Sequence, residues 1–193
     1  MSFAKKLQSL AKNNRAAKII GFVWGYAEGG IFFLVPDIYI TFATLFSFKS
    51  GYRAWGYSIA GSTLAVLTIY AVMGYTSIPY FEVLANTPGI SSEMISGVTN
   101  ELKRQGVPYT PLLIVGGIPL KVYSASAFAL GFPLLNVLAW TLFSRIVRIA
   151  PVFFLVAAVS RLLKRRIENR PALFLGVLSL AWILFYAYYF QAI

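Results

Sequence analysis

The chain has 193 residues, of which 59% are hydrophobic and only 12% charged, against ~25% charged residues in an average soluble domain. With a mean hydropathy of +0.72, it has more apolar surface than so small a soluble domain can bury, which predicts an integral membrane protein. The absence of cysteine and histidine excludes disulfides, thiol nucleophiles, Ser-His and Cys-His pairs and imidazole-bound metals. Seventeen Lys and Arg against six acidic residues give a net charge of +11, which favours contact with anionic lipid over nucleic acid.

The N-terminal region, residues 1–18, is too polar to cross a membrane. Phe3, Leu7 and Leu10 fall on one helical face, and the five basic residues between Lys5 and Lys18 surround the rest. This pattern predicts an amphipathic helix on a negatively charged leaflet. The alternative is a solvated basic tail that only sets topology. Nothing near the start resembles the cleavage site of a secretory signal.

Five apolar stretches follow, at residues 19–48, 54–76, 108–133, 134–160 and 171–193. We expect the second, fourth and fifth of them to be transmembrane helices, since ~20 apolar residues suffice for one crossing. The aromatic end of the last stretch is typical of a membrane interface. Two polar segments separate the stretches. Residues 77–107 are slightly acidic and include a predicted amphipathic helix at 90–105, and residues 161–170 are strongly basic.

The positive-inside rule predicts on which side of the membrane each segment lies. The N-terminus, the turn at 49–53 and the 161–170 loop are basic and are expected in the cytoplasm, whereas 77–107 is expected outside. Stretch 19–48 must then begin and end on the same side. The two stretches between 108 and 160 together must make one net crossing. We therefore expect 19–48 and 108–133 to be re-entrant hairpins that return to their own side.

Residues that interrupt helices stand where such hairpins would turn: Gly29, Gly30 and Pro36 in the first, and Gly116, Gly117 and Pro119 in the second. Non-helical backbone at membrane depth needs cover from protein or a water-filled cavity, so both hairpins should lie inside the fold. A hairpin followed by a span, twice and in opposite orientation, is an inverted repeat. The predicted fold is an all-α polytopic membrane protein with two such repeats at 19–160, an N-terminal amphipathic helix and a C-terminal transmembrane helix. A conventional bundle of six or seven spans is the alternative.

Five charged residues lie inside the apolar stretches: Glu28, Asp37, Lys121, Arg145 and Arg148. A charge at mid-membrane costs ~2.5–3.5 kcal/mol on insertion scales, so we expect these residues to meet between the hairpins. Arginine stays protonated and its forked donors match phosphate. The three bases are therefore candidates for binding an anionic lipid headgroup, and the two acids for carrying protons. The alternative is that they form internal ion pairs with a purely structural role, and Lys121 alone could instead snorkel to the membrane surface.

Several motifs resemble those of the DedA superfamily, also called VTT or SNARE-associated Golgi proteins. Residues 27–37 read AEGGIFFLVPD and resemble the first hairpin of that family. Residues 117–123 are similar to its Pro-x-Lys-Val-Phe hairpin and 130–134 to its Gly-Met-Pro-Leu turn. The pair of arginines at 145–148, followed by residues 153–157, is similar to its Gly-Arg-x-x-Arg-Phe-Phe helix. The resemblance covers roughly residues 19–165.

The chain also departs from the family pattern. Phe33 and Val35 replace two prolines, Gly29 replaces the serine after the glutamate, and Ser144 replaces the glycine before the first arginine. The spacing of the acids and the paired arginines are kept. The resemblance therefore indicates a divergent member of the family, with an altered substrate choice as one consequence to test.

The resemblance implies movement of lipids between membrane leaflets. Family members act on undecaprenyl phosphate or phospholipids, some apparently with the proton gradient, and eukaryotic relatives are scramblases. Their membrane acids and arginines are the functional residues and correspond here to Glu28, Asp37, Arg145 and Arg148, and Lys121 matches a family motif of less defined role.

These observations together predict a lipid translocase of the inner (plasma) membrane with a cytoplasmic N-terminus. Its partners would be anionic-headgroup lipids and protons. No cofactor, metal or nucleic acid is expected, and a homo-oligomer is left open. A proton-coupled transporter of a small soluble anion and a non-transporting membrane scaffold are the alternatives. An enzyme is not expected, because no nucleophile lies beside a base in the apolar stretches.

Overall fold

A computed structural model describes residues 3–109 and 118–191. All the regular elements in this part of the chain are helices, as the sequence predicts. They are α1 (Phe3–Lys12), α2 (Asn14–Gly30), α3 (Asp37–Phe46), α4 (Phe48–Tyr75), α5 (Tyr80–Ala85), α6 (Ser92–Gln105), α7 (Leu120–Ala129), α8 (Leu134–Leu162), α9 (Lys164–Asn169) and α10 (Pro171–Gln191).

Three of the described helices, α4, α8 and α10, are long and apolar enough to cross a membrane. They coincide with the three stretches predicted as transmembrane helices. No side chain of α10 is buried, and the helix carries no charged residue, as expected of a helix that faces lipid on most sides.

Capping residues place two helix starts differently from the sequence prediction. The side-chain oxygen of Asn13 accepts hydrogen bonds from the backbone N–H of Arg15, at 2.9 Å, and of Ala16, at 3.1 Å. This cap starts α2 at Asn14, so the amphipathic helix α1 is shorter than the predicted region 1–18. Ser47 likewise caps α4 through the N–H of Ser50 at 3.2 Å, and α4 begins six residues before the predicted residue 54.

The two ends of the fold differ in charge. Lys12, the α3–α4 turn at Ser47 and the basic residues Arg161 and Lys164 surround one cavity, so the three basic segments lie at the same end, which we call the basic end. From there α4 rises over 28 residues, or about 42 Å at 1.5 Å per residue. Helices α5 and α6 follow at the far end. The three basic segments thus share one end of the fold.

Helices α2 and α4 run side by side through a row of small residues. Gly21, Gly25 and Gly29 are spaced four apart and face α4, where a methyl group added at Gly21 would lie 2.5 Å from the carbonyl oxygen of Ala54. At Gly29 it would lie 2.7 Å from the Cβ of Ala65. Such contacts let two backbones approach closely, as in membrane helix pairs with Gly-xxx-Gly motifs. The close packing fixes the height of the α2 terminus against α4.

Helix α3 runs from the break after α2 back toward the basic end and packs between α4 and α8. Helix α7 lies in the interior, with every residue from Leu120 to Ala127 buried, and contacts α4 and α6. Pro119 stands just before α7, and the predicted breakers Gly116 and Gly117 lie outside the described residues. The helices α2, α3, α7 and α8 thereby converge on one region of the interior.

We predict that Gly25→Ala destabilises the fold, because the added methyl group overlaps the carbonyl oxygen of Ser58. Overpacking of this kind costs about 1–3 kcal/mol. Circular dichroism melts of the purified protein in detergent should show a midpoint several degrees lower. Gly56→Ala is the matched control on the open side of α4, where nothing lies within 4 Å, and its midpoint should be unchanged or slightly higher. Equal midpoints for the two variants would contradict the close-packing argument.

Candidate functional site

The first ion pair of the site joins α2 to α8. Arg145 Nη2 donates a hydrogen bond to Glu28 Oε2. Both residues are only 3% exposed. Neither charge would be tolerated in this apolar interior alone, so each provides the partner that the other needs. The pair connects residues 117 positions apart in the sequence and holds the end of α2 against the middle of α8.

The second pair lies one helical turn further along α8 and is looser. Arg148 Nη2 lies 3.3 Å from Asp37 Oδ2. The side chain of Arg148 is 15% exposed, against 4% for that of Arg145. Asp37 is the first residue of α3, where the positive end of the helix dipole also favours a carboxylate. Arg148 is therefore paired with Asp37 but remains partly exposed.

Lys121 completes the cluster from α7. Its ammonium group donates to the backbone carbonyls of Glu28, at 3.0 Å, and of Phe32, at 2.7 Å. The carbonyl of Glu28 lies in the last turn of α2, where no following turn supplies a backbone N–H donor, and that of Phe32 lies two residues beyond the helix. The lysine is 2% exposed. It therefore holds the end of α2 in place in this structure, and binding of a headgroup by Lys121 stays a prediction.

Besides Lys121, three side chains hold the break between α2 and α3, residues 31–36, by hydrogen bonds to its backbone or to the adjacent end of α2. Trp24 Nε1 donates to the carbonyl of Leu34 at 3.0 Å, and the N–H of Val35 donates to Tyr186 Oη at 2.8 Å. Tyr80 Oη donates to the carbonyl of Gly30 at 2.9 Å. Because backbone groups in an apolar interior must be satisfied by protein, these contacts make the break possible.

Helix α10 covers the site from the outside. Besides the contact of Tyr186 with the break, Trp182 Nε1 donates to Thr41 Oγ1 at 3.0 Å. A cavity of about 50 Å³ beneath α10 is lined by Glu28, Lys121 and Arg148 as well as by Tyr186. The charged cluster is thus separated from the surroundings on this side by one apolar helix.

A second cavity beside the cluster is mainly apolar. It has a volume of about 250 Å³ and lies between α3, α8 and α10. Asp37 and Arg148 line it, together with apolar side chains that include Val152, Val156 and Leu178. Arg148 therefore borders both the charged cavity and the apolar one, and the other two bases of the cluster do not line the apolar one.

The structure brings the five predicted charges together, and the four described breakers, Gly29, Gly30, Pro36 and Pro119, lie within two residues of Glu28, Asp37 or Lys121. Gly29 and Gly30 are the last two residues of α2, and Pro36 directly precedes α3. Gly29 is itself close-packed against α4. Sequence reasoning missed the contacts of Trp24, Tyr80 and Tyr186 with this region. Trp24 lies on α2 itself, whereas Tyr80 and Tyr186 come from the distant helices α5 and α10.

No protein-family model matches the chain, and no match exists for it among curated proteins or solved structures.

We predict that Arg145→Met destabilises the protein strongly, because it leaves the carboxylate of Glu28 buried without its ion-pair partner. Removing one partner of a buried pair costs about 3–5 kcal/mol. The double variant Glu28→Gln, Arg145→Met should recover much of the loss, since no unpaired carboxylate remains. Thermal unfolding in detergent gives the melting temperatures of the single variant, the double variant and the wild type.

The matched control is Arg104→Met on α6, whose ion pair with Glu101 is exposed. Its melting temperature should differ little from that of the wild type, because exposed pairs contribute little. A double variant no more stable than Arg145→Met would contradict the pairing argument.

Proposed function

We propose that the protein is a membrane lipid translocase that moves a phosphate-bearing lipid between leaflets, coupled to protons, in the manner that the DedA resemblance implies. The observation that carries the proposal is the position of Arg148. It lines both a small cavity that Glu28 and Lys121 also line and a larger, mainly apolar cavity. A lipid likewise joins a charged headgroup to an apolar chain.

The apolar cavity suits part of an acyl chain rather than a complete soluble ligand. Its volume of about 250 Å³ is below the ~300–1,000 Å³ of typical small-molecule sites. It lies against α10, no side chain of which is buried. A headgroup at Arg148 therefore allows the rest of the lipid to pass beside α10 into the bilayer, and the protein need not enclose the acyl chains.

The difference between the two ion pairs suggests how a headgroup exchanges with a proton. Arg145 is enclosed by its pair with Glu28, whereas Arg148 contacts Asp37 at 3.3 Å and borders open space. Protonation of Asp37 removes the charge that holds Arg148, and the guanidinium then binds the phosphate. Release of the phosphate allows the proton to leave and the pair to re-form. In this scheme Asp37 carries the proton and Glu28 and Arg145 hold the scaffold.

The proposal includes two re-entrant hairpins in an inverted repeat. For the first hairpin, the support is the position of the end of α2 along α4. Gly29 contacts α4 at Ala65, ten residues before the end of that helix at Tyr75, or about 15 Å at 1.5 Å per residue. The α2–α3 pair thus turns back below the end of α4. For the second hairpin the support is the complete burial of the first eight residues of α7.

We predict that Arg148→Gln and Asp37→Asn each lower the rate of lipid exchange at least about tenfold, which is the ~1.4 kcal/mol effect of losing one charge-assisted hydrogen bond. The assay reconstitutes the protein into liposomes with labelled undecaprenyl phosphate or phospholipid and measures exchange between leaflets. Arg104→Gln and Glu93→Gln, on exposed positions of α6, are the matched controls and should exchange lipid at the wild-type rate.

Wild-type exchange by both Arg148→Gln and Asp37→Asn would contradict the proposal. If the folded wild-type protein moves no lipid but admits inorganic phosphate into the liposomes, the soluble-anion transporter becomes the better explanation.

We further predict that a pH gradient accelerates exchange by the wild type and has no effect on Asp37→Asn. The asparagine carries no titratable proton, so the pair with Arg148 no longer responds to pH. The measurement compares initial rates with and without the gradient, and the ratio should be above one for the wild type and equal to one for the variant. A variant that keeps the full response would show that Asp37 is not the proton carrier.

A further inference from the structure

A separate cavity of about 690 Å³ opens at the basic end of the fold. Five helices contribute to it: α1, α3, α4, α8 and α9. Arg161, which lines it, is 13 residues beyond Arg148 on α8, or about 20 Å along the helix axis at 1.5 Å per residue. The cavity is therefore separate from the charged cluster.

Three cations line this cavity. Lys12 is the last residue of α1, Arg161 lies in the last turn of α8 and Lys164 is the first residue of α9. Glu168 is the one acidic residue in the lining. Among the described residues, none of the three cations forms a salt bridge. They keep their hydrogen-bond donors for another anion.

The ends of the surrounding helices do not supply that anion. The cavity wall holds the C-terminal ends of α1, α3 and α8, whose carbonyls carry partial negative charge, and the N-terminal ends of α4 and α9, whose N–H groups carry partial positive charge. These contributions, each equivalent to about half a charge, nearly cancel. The net positive charge of the lining side chains therefore remains.

The rest of the lining is apolar. Phe46, Phe48 and Phe154 contribute aromatic rings, and Ala157 and Ala158 leave space between them. Phe48 and Phe154 are more than half exposed. A soluble phosphate compound would leave this surface in contact with water, whereas a lipid would cover it and gain about 25 cal/mol per Å² of apolar area. The combination of cations and apolar wall fits an anionic amphiphile.

We infer that this cavity is a second binding site, which holds an anionic phospholipid with its headgroup phosphate among Lys12, Arg161 and Lys164 and its chains along Phe48 and Phe154. This inference goes beyond the proposed translocation, because the site lies outside the charged cluster. A lipid bound there joins α1 to the junction of α8 and α9 and neutralises three cations that otherwise repel one another.

The test uses the full chain, purified in a zwitterionic detergent, and the soluble lipid dihexanoyl phosphatidylglycerol as probe. Dihexanoyl phosphatidylcholine and glycerol 3-phosphate are the comparison ligands, and microscale thermophoresis gives the dissociation constants. The variant Lys12→Gln, Arg161→Gln, Lys164→Gln should bind phosphatidylglycerol at least about tenfold more weakly, since it loses charge-assisted hydrogen bonds to the phosphate. The wild type should bind phosphatidylcholine more weakly than phosphatidylglycerol.

The matched control removes the same charge from exposed residues that do not line the cavity, by Arg165→Gln, Arg166→Gln and Arg170→Gln. It should bind phosphatidylglycerol within about twofold of the wild type, because exposed charges that do not contact the ligand are screened by water and salt. Equal weakening by the two triple variants would overturn the inference, since it would show only a general attraction to a basic surface.

A steric variant distinguishes lipid from free phosphate. Ala158→Phe fills the apolar part of the cavity without changing any charge, so it should weaken binding of phosphatidylglycerol and leave that of glycerol 3-phosphate unchanged. If glycerol 3-phosphate binds the wild type as tightly as the lipid, and Ala158→Phe alters neither, the occupant is a soluble phosphate compound and the lipid assignment is wrong.

Discussion

The high free energy of an unpaired charge in an apolar interior is the constraint on which this structure depends. Glu28 and Arg145 satisfy it for each other, and their pairing fixes the end of α2 against α8. Lys121 adds a third element by binding the carbonyl of Glu28 and that of Phe32. Helix α2 is thereby tied at one point to α7 and α8, which are far from it in the sequence. A buried pair stabilises a fold less than a packed apolar core would, so its cost argues for a purpose beyond stability.

The break at residues 31–36 meets a similar constraint, because backbone N–H and C=O groups in an apolar interior also need hydrogen-bond partners. Hydrogen bonds from Trp24 and Tyr80, and to Tyr186, satisfy groups that the two helix ends leave open. Two of these side chains come from α5 and α10, so the first hairpin is complete only when the last helix is in place. Movement of α10 would expose both the break and the charges beneath it. The fold thus couples access to the charged cluster to the position of a helix that has no buried side chain.

Much of this arrangement can be predicted from the sequence, because the bilayer allows few solutions. The three long helices follow from length and hydropathy, and the five charges of the cluster are recognisable because charges are rare in apolar stretches. Caps such as Asn13 and Ser47, which move the starts of α2 and α4, depend on local backbone geometry. The sequence shows the spacing of Gly21, Gly25 and Gly29 and allows close helix packing there, but it does not show that their partner is α4. The partners of the break at 31–36 are set by tertiary packing alone.

The two arginines of α8 differ for a geometric reason that bears on mechanism. They stand three residues apart and so share one face of the helix, yet α2 and α7 enclose the first and leave the second at the edge of a cavity. An enclosed pair resists exchange, because opening it exposes two charges to an apolar interior. A pair at the edge can exchange one anion for another while remaining neutral. The two acids and two arginines therefore divide into an enclosed pair, Glu28–Arg145, that joins α2 to α8, and a partly exposed pair, Asp37–Arg148, that lies beside the apolar cavity. The proposed exchange of a headgroup phosphate requires the second pair.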